Sequence, residues 1–117
     1  MATPKVFESE YRFCLILWEN EAIGSADLAK LCNEKLGWSR TTTYTVIKRL
    51  SERGVVVNEN AIVRSLVSKD EIQRAEIEEL IQKRFDNSLP AFVAAFAKTA
   101  KLTDKELAEI KALIEKE

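Results

Sequence analysis

Apolar side chains recur along the first half of this chain at steps of three and four residues, punctuated by glycines at 24, 37 and 54. Tyr11, Cys14, Leu15 and Trp18 mark the buried stripe of a helix over about residues 8–20. Gly24 interrupts the pattern, and Ser25 is placed to cap a second helix whose inner face is Leu28, Leu31, Cys32 and Leu36. Gly37 ends that helix and Trp38 closes the turn. A third helix follows, with Ser39 as its cap and Gly54 as its left-handed stop. At about 100° per residue, Thr43, Val46, Ile47 and Leu50 share one narrow arc. Thr41, Thr42, Tyr44, Thr45, Lys48 and Arg49 lie opposite.

The period then changes. Val55, Val56 and Val57 precede Asn58-Glu59-Asn60, and residues 61–67 form a second run rich in Ile, Val and Leu, which together predict a hairpin. Three helices followed by a hairpin is the order of a winged helix-turn-helix. Beyond it the chain is helical again, with capping-box pairs at Ser68/Glu71 and Thr103/Glu106. A helix over residues 70–85 carries Ile72, Ile77, Leu80, Ile81 and Phe85. One over 89–97 carries Leu89, Phe92, Val93 and Phe96, and one over 104–115 carries Leu107, Ile110, Leu113 and Ile114. Three short helices cannot bury that much apolar surface alone. The expected fold is mainly α: a winged-helix DNA-binding domain with a two-stranded wing over residues 1–67, and a helical dimerisation region over residues 68–117. Pairing with a second copy is preferred to folding back, because a palindromic DNA site calls for a two-fold protein. Ile72, Leu80, Ile81, Phe85, Phe92, Val93, Phe96, Leu107, Ile110, Leu113 and Ile114 are the expected dimer contacts.

The outer face of the third helix has an unusual composition. Three threonines and a tyrosine lower helix propensity where Glu, Gln or Ala would raise it. Their short hydroxyls and methyls suit phosphates, base edges and thymine methyls, and Lys48 and Arg49 add positive charge. Thr42, Tyr44, Thr45 and Arg49 are expected to face base edges, and Arg40, Thr41 and Lys48 to hold phosphates. The bland alternative is a solvated amphipathic face.

With 46% apolar and 32% charged residues, the 117-residue chain reads as a soluble globular protein. No apolar run has membrane-spanning length, and the start has no signal-peptide pattern. Cys14 and Cys32 sit in helical patterns and read as buried thiols, so a cytoplasmic location is expected. There is no histidine, which removes imidazole metal sites and His-dependent catalysis. Three scattered glycines make no phosphate loop, and carboxylates such as Glu76, Glu78 and Glu79 lie in a solvated helical run. No enzyme activity, metal or cofactor is expected. The net charge of −1 conceals a gradient. Residues 39–53 hold Arg40, Lys48, Arg49 and Arg53 against Glu52 alone, a local basic patch sufficient for groove docking. A winged-helix module that contacts another protein is the competing reading, but it has no need of a positive outer face.

The residues now assembled resemble those of the BlaI/MecI/CopY family of penicillinase-type repressors over most of the chain. The resemblance rests on Leu17-Trp18 at the end of the first helix. It rests also on Trp38, Ser39, Thr42, Thr45, Arg49, Leu50 and Gly54 in the recognition pattern, and on Phe85-Asp86-Asn87-Ser88-Leu89 opening the C-terminal region. It implies a homodimeric winged-helix repressor of resistance or stress genes, with double-stranded operator DNA bearing inverted repeats like TACA…TGTA as its partner. Three positions depart from the pattern. The wing at residues 58–61 lacks the expected glycine and basic residues and leaves only Arg64 nearby as a wing contact. No cysteine follows Cys32, which disfavours the copper-responsive design. Proteolysed members are cut at an Asn-Phe bond by an inducing protease. The matching position here is Ala95-Phe96.

Overall fold

Phe13, Leu17, Leu28, Leu50, Val55, Val56, Val63 and Ile72 are fully buried, and they fix how the first part of the chain packs. The computed structural model describes residues 3–99 and 101–116. In chain order its elements are α1 (Glu8–Asn20), β1 (Ile23–Gly24), α2 (Ser25–Leu36), α3 (Arg40–Glu52), β2 (Val56–Glu59), β3 (Ile62–Ser65), α4 (Lys69–Arg84), α5 (Leu89–Thr99) and α6 (Asp104–Glu115). Two compact units result, Met1–Ile77 and Glu78–Glu117. Among the described residues no helix is long and apolar enough to cross a membrane.

In the first unit, α1 buries a stripe rotated from the expected one. Phe13, Cys14, Ile16 and Leu17 are inside, while Tyr11 and Trp18 pack at the core's edge. Leu15 is only half-buried. An almost continuous apolar run from Tyr11 to Trp18 offers two arcs with the same period. Side-chain chemistry decides between them, because Tyr and Trp carry polar atoms that need partners. Trp18 Nε1 donates to the Val67 carbonyl at 3.0 Å, and the Gln73 amide donates to the Tyr11 hydroxyl at 3.4 Å. The two rings meet edge to face, 5.8 Å between centroids.

The wing belongs to a three-stranded antiparallel sheet of order β1-β3-β2, rather than the two-stranded ribbon expected. The extra strand pairs Ile23 with Val63 and Gly24 with Ile62. Two residues are too short a run to carry a period-two signal. The turn also lies further on than expected: Asn58 and Glu59 are strand residues, and Glu59 pairs with Ile62. Asn60 and Ala61 form the two-residue connection, at φ 52° and 62°. Left-handed conformation at both positions matches the twist of a tight hairpin. Ser25 is the first residue of α2 and not its cap, which is Gly24. The Ser25 amide donates to the Ala61 carbonyl at 2.8 Å, so the wing's backbone satisfies this helix start. Leu28, Ala29 and Cys32 are the buried residues of α2, with Leu31 and Leu36 packed at the margin.

Ile72, expected at a dimer contact, is 1% exposed and lies in the core of this first unit. The 3.6-residue period shows that a face is apolar, but not which neighbour covers it. Ser68 and Glu71 form the expected capping box at the start of α4, through bonds of 3.0 and 3.2 Å.

In the second unit, α4 ends through Asp86 and Asn87, both left-handed (φ 50° and 59°). Ser88 Oγ accepts from the Ala91 amide at 3.1 Å and starts α5. Phe85 and Phe92 meet edge to face, 5.5 Å between centroids. Thr103 and Glu106 form a full capping box on α6. Neither α5 nor α6 has a buried residue among those described.

Candidate nucleic-acid interface

α3 begins where two devices meet. Gly37 takes φ 70° and its amide donates to the Asn33 carbonyl at 3.0 Å, ending α2 in a left-handed cap. Trp38 then stacks parallel to Phe13 with ring centroids 6.2 Å apart, which pins the turn to α1. Ser39 Oγ accepts from the Thr42 amide at 3.1 Å and donates to the Thr42 hydroxyl at 2.9 Å. At the other end Gly54 is left-handed, at φ 78°.

The two faces of α3 separate as its periodicity predicts. Thr43, Val46, Ile47 and Leu50 are buried, whereas Arg40, Thr41, Thr42, Tyr44, Thr45, Lys48 and Arg49 are exposed. The Thr43 hydroxyl is buried beside the Cys32 thiol. Burial pushes the neighbouring Cys32 thiol up, and Thr43 offsets this only in part. On the outer face the Arg40 guanidinium lies over the Tyr44 ring, 5.8 Å from its centroid. That stacking, one helical turn apart, holds two long side chains in a shared orientation. No ion pair forms on Arg40, Lys48 or Arg49 among the described residues.

Two basic residues behave differently from the expectation drawn from charge counts. Arg64 on the wing reaches Glu59 at 3.3 Å, an exposed pair that partly cancels the wing's only cation. Arg53 turns away from the outer face and back towards α1. Its Nη1 donates to the Lys5 carbonyl at 2.9 Å, its Nη2 pairs with the buried Glu10 carboxylate, and its guanidinium lies 5.2 Å from the Phe7 centroid. In the opposite sense, Lys30 of α2 joins Arg40 in lining an open depression of about 370 Å³. Sequence spacing gave no reason to group these two, because they sit on different helices ten positions apart.

An exposed helix that combines hydroxyls, a stacked arginine and unpaired cations, mounted beside a small hairpin, is suited to the major groove. The penicillinase repressor family model matches residues 7–116 of the 117. The chain belongs to the penicillinase repressor family. Comparison with curated proteins gives no match. Penicillinase repressors are transcriptional repressors and not a class of enzyme, and repression implies binding to DNA. The mainly helical architecture with its small antiparallel sheet agrees with the winged helix of the penicillinase repressors.

The expected contacts of the second unit form a largely exposed apolar surface in the single chain. Leu80, Val93, Phe96 and Leu107 are 42–51% exposed, and Leu113 and Ile114 reach 71% and 70%. Ile81, Phe85, Phe92 and Ile110 are half-buried. The Ala95–Phe96 bond, where the resemblance puts cleavage in proteolysed members, lies inside α5 and not in a loop.

Proposed function

We propose that this penicillinase repressor acts as a homodimer, laying α3 of each subunit into the major groove at one half of an inverted-repeat operator. The observation that carries the reading is the division of α3, with Arg40, Thr41, Thr42, Tyr44, Thr45, Lys48 and Arg49 outside and Thr43, Val46, Ile47 and Leu50 inside. Thr42, Tyr44, Thr45 and Arg49 read base edges. Arg40, Thr41 and Lys48 hold phosphates, with Lys30 beside Arg40 as an added cation. The wing contributes at most Arg64, after that residue leaves Glu59. Residues 68–117, without Ile72, supply the pairing surface, and the exposed Leu113 and Ile114 support that assignment. If an inducing protease acts on this chain, the scissile bond is Ala95–Phe96, and cutting inside α5 requires that helix to open locally first.

The reading is tested by selecting bound duplexes from a random-sequence pool and measuring their affinity as salt rises. An inverted repeat should be recovered. If the dimer neutralises about six to eight phosphates, affinity should fall by about three to four orders of magnitude between 50 and 200 mM salt. A pool that yields no repeat, a flat salt dependence, or a monomer in sedimentation at micromolar concentration would refute it.

A further inference from the structure

We infer that Arg53 is a positioning residue for operator reading: it latches the end of α3 to the first turn of α1 and the segment ahead of it, and so fixes the pose of Arg49. The inference rests on the DNA-reading assignment just given. Arg53 reaches back across 43 and 48 positions of sequence, to Glu10 and to Lys5. Glu10 is 6% exposed, and its two carboxylate oxygens are divided between two donors. Oε1 accepts from the Phe7 amide at 2.9 Å, and Oε2 accepts from Arg53. A buried carboxylate is tolerated only when paired and hydrogen-bonded in this way. The packing of Val46, Ile47 and Leu50 sets how deeply α3 sits, but hydrophobic burial has no preferred direction. A planar guanidinium with two fixed donors does have one, so it can set rotation and axial register.

Arg49 is where that register matters. Its carbonyl accepts from the Arg53 amide at 3.2 Å, and both side chains line one open depression of about 380 Å³ with Phe7, Glu10 and Glu52. A rotation of the last turn of α3 therefore displaces the point from which Arg49 reaches a base. A pair of this kind contributes more to geometry than to net stability, because desolvation offsets much of its attraction.

Two near-isosteric substitutions test the latch. Glu10→Gln keeps the shape but leaves one oxygen for two donors, so the bond to Phe7 or to Arg53 must fail. It also removes a negative charge, which by electrostatics alone would tighten binding to any DNA. Arg53→Lys keeps the charge and loses the fork. The probes are the duplex selected by the parent protein and a scrambled duplex of equal length and composition. Measurements are made well below each variant's melting midpoint, with circular dichroism confirming the fold. Both variants should bind the selected duplex about tenfold more weakly, the size of one misread base pair, and the scrambled duplex within about twofold of the parent. Tighter or unchanged binding of the selected duplex by either variant overturns the latch. So does an equal loss on both duplexes, which marks Arg53 as a phosphate contact. If Glu10→Gln does not fold, Arg53→Lys alone decides. If the parent selects no duplex, the DNA-reading assignment falls and the latch with it. If the parent selects one and the variants keep it, only the latch falls.

Discussion

Adjacent positions 49 and 50 should give opposite results when each is cut to alanine. Leu50 is fully buried in the core shared by α1, α2, α3 and the sheet. Removing its three outer carbons forfeits about 0.8 kcal/mol each, and the cavity left behind brings the loss to about 3–5 kcal/mol. For a unit of this size each kcal/mol lowers the melting midpoint by roughly 4–8 °C, so Leu50→Ala should melt at least about 12 °C lower. Arg49 is exposed and in no ion pair among the described residues, so its truncation opens no cavity. Arg49→Ala should leave the midpoint within about 2–4 °C, as surface changes usually cost under about 0.5 kcal/mol. It should weaken binding to the selected duplex by about 1–3 kcal/mol per half-site, roughly fivefold to over a hundredfold. The chain's two tryptophans, Trp18 and Trp38, both lie in the unit Met1–Ile77, so tryptophan fluorescence follows that unit alone. Fluorescence-detected melting and duplex binding on the same samples provide the two readings. If Arg49→Ala melts the unit, or binds the selected duplex as tightly as the parent, the two faces of α3 are wrongly assigned.

Ser39→Ala removes the side-chain cap of α3 and should cost about 1 kcal/mol in chemical denaturation, with no change in the cooperativity of unfolding. Ala61→Gly should raise stability by up to roughly 1 kcal/mol, because an alanine at φ 62° carries a steric cost that glycine lacks; a loss of stability would contradict the turn geometry. Burial pushes the Cys14 thiol up to about 12 from an ordinary value of 9.0. Its contribution to stability is therefore intact below about 9 and lost progressively as pH climbs from there towards 12, since only the unfolded chain ionises freely in that window; unfolding free energies measured between pH 8 and 11 by fluorescence should fall accordingly. Leu113→Asp should leave tryptophan-detected melting unchanged while shifting sedimentation towards monomer and weakening binding to the selected duplex; a dimer that persists would move the pairing surface elsewhere.

The structure agrees with the sequence reading where two signals coincide at one place. At α3 a cap, an apolar arc and a glycine stop fall in register, and the buried set Thr43, Val46, Ile47 and Leu50 follows from them directly. In α1 the period was right and the phase was wrong. With nearly every residue from Tyr11 to Trp18 apolar, periodicity alone cannot tell the centre of the core from its rim. The polar atoms of Tyr11 and Trp18 were the available clue, since each needed a partner that the centre does not offer. The strand Ile23–Gly24 had no such clue, because its identity depends on β3 lying beside it. Ile72 differs from the expectation for a related reason: it lies on a helix whose other apolar residues are exposed or half-buried, and only its packing within the core of the first unit separates it from them.

Charge counting met the same limit at the candidate site. Along the sequence, Arg53 adds to the basic stretch as fully as Arg49 does, and Glu10 is too distant to enter the sum. In space Arg53 is occupied by Glu10, Arg64 is partly cancelled by Glu59, and Lys30 arrives beside Arg40 from another helix. The free positive charge thus moves from the C-terminal end of α3 and the wing towards the N-terminal end of α3 and the adjoining α2. Phosphate contacts should accordingly cluster around Arg40 and Lys30, leaving Lys48 and Arg49 further along the groove. On the reading proposed above, a wing without glycine and with its one cation paired to Glu59 suits this distribution, because phosphate anchoring from the α2 side would leave a second clamp at the hairpin little to add.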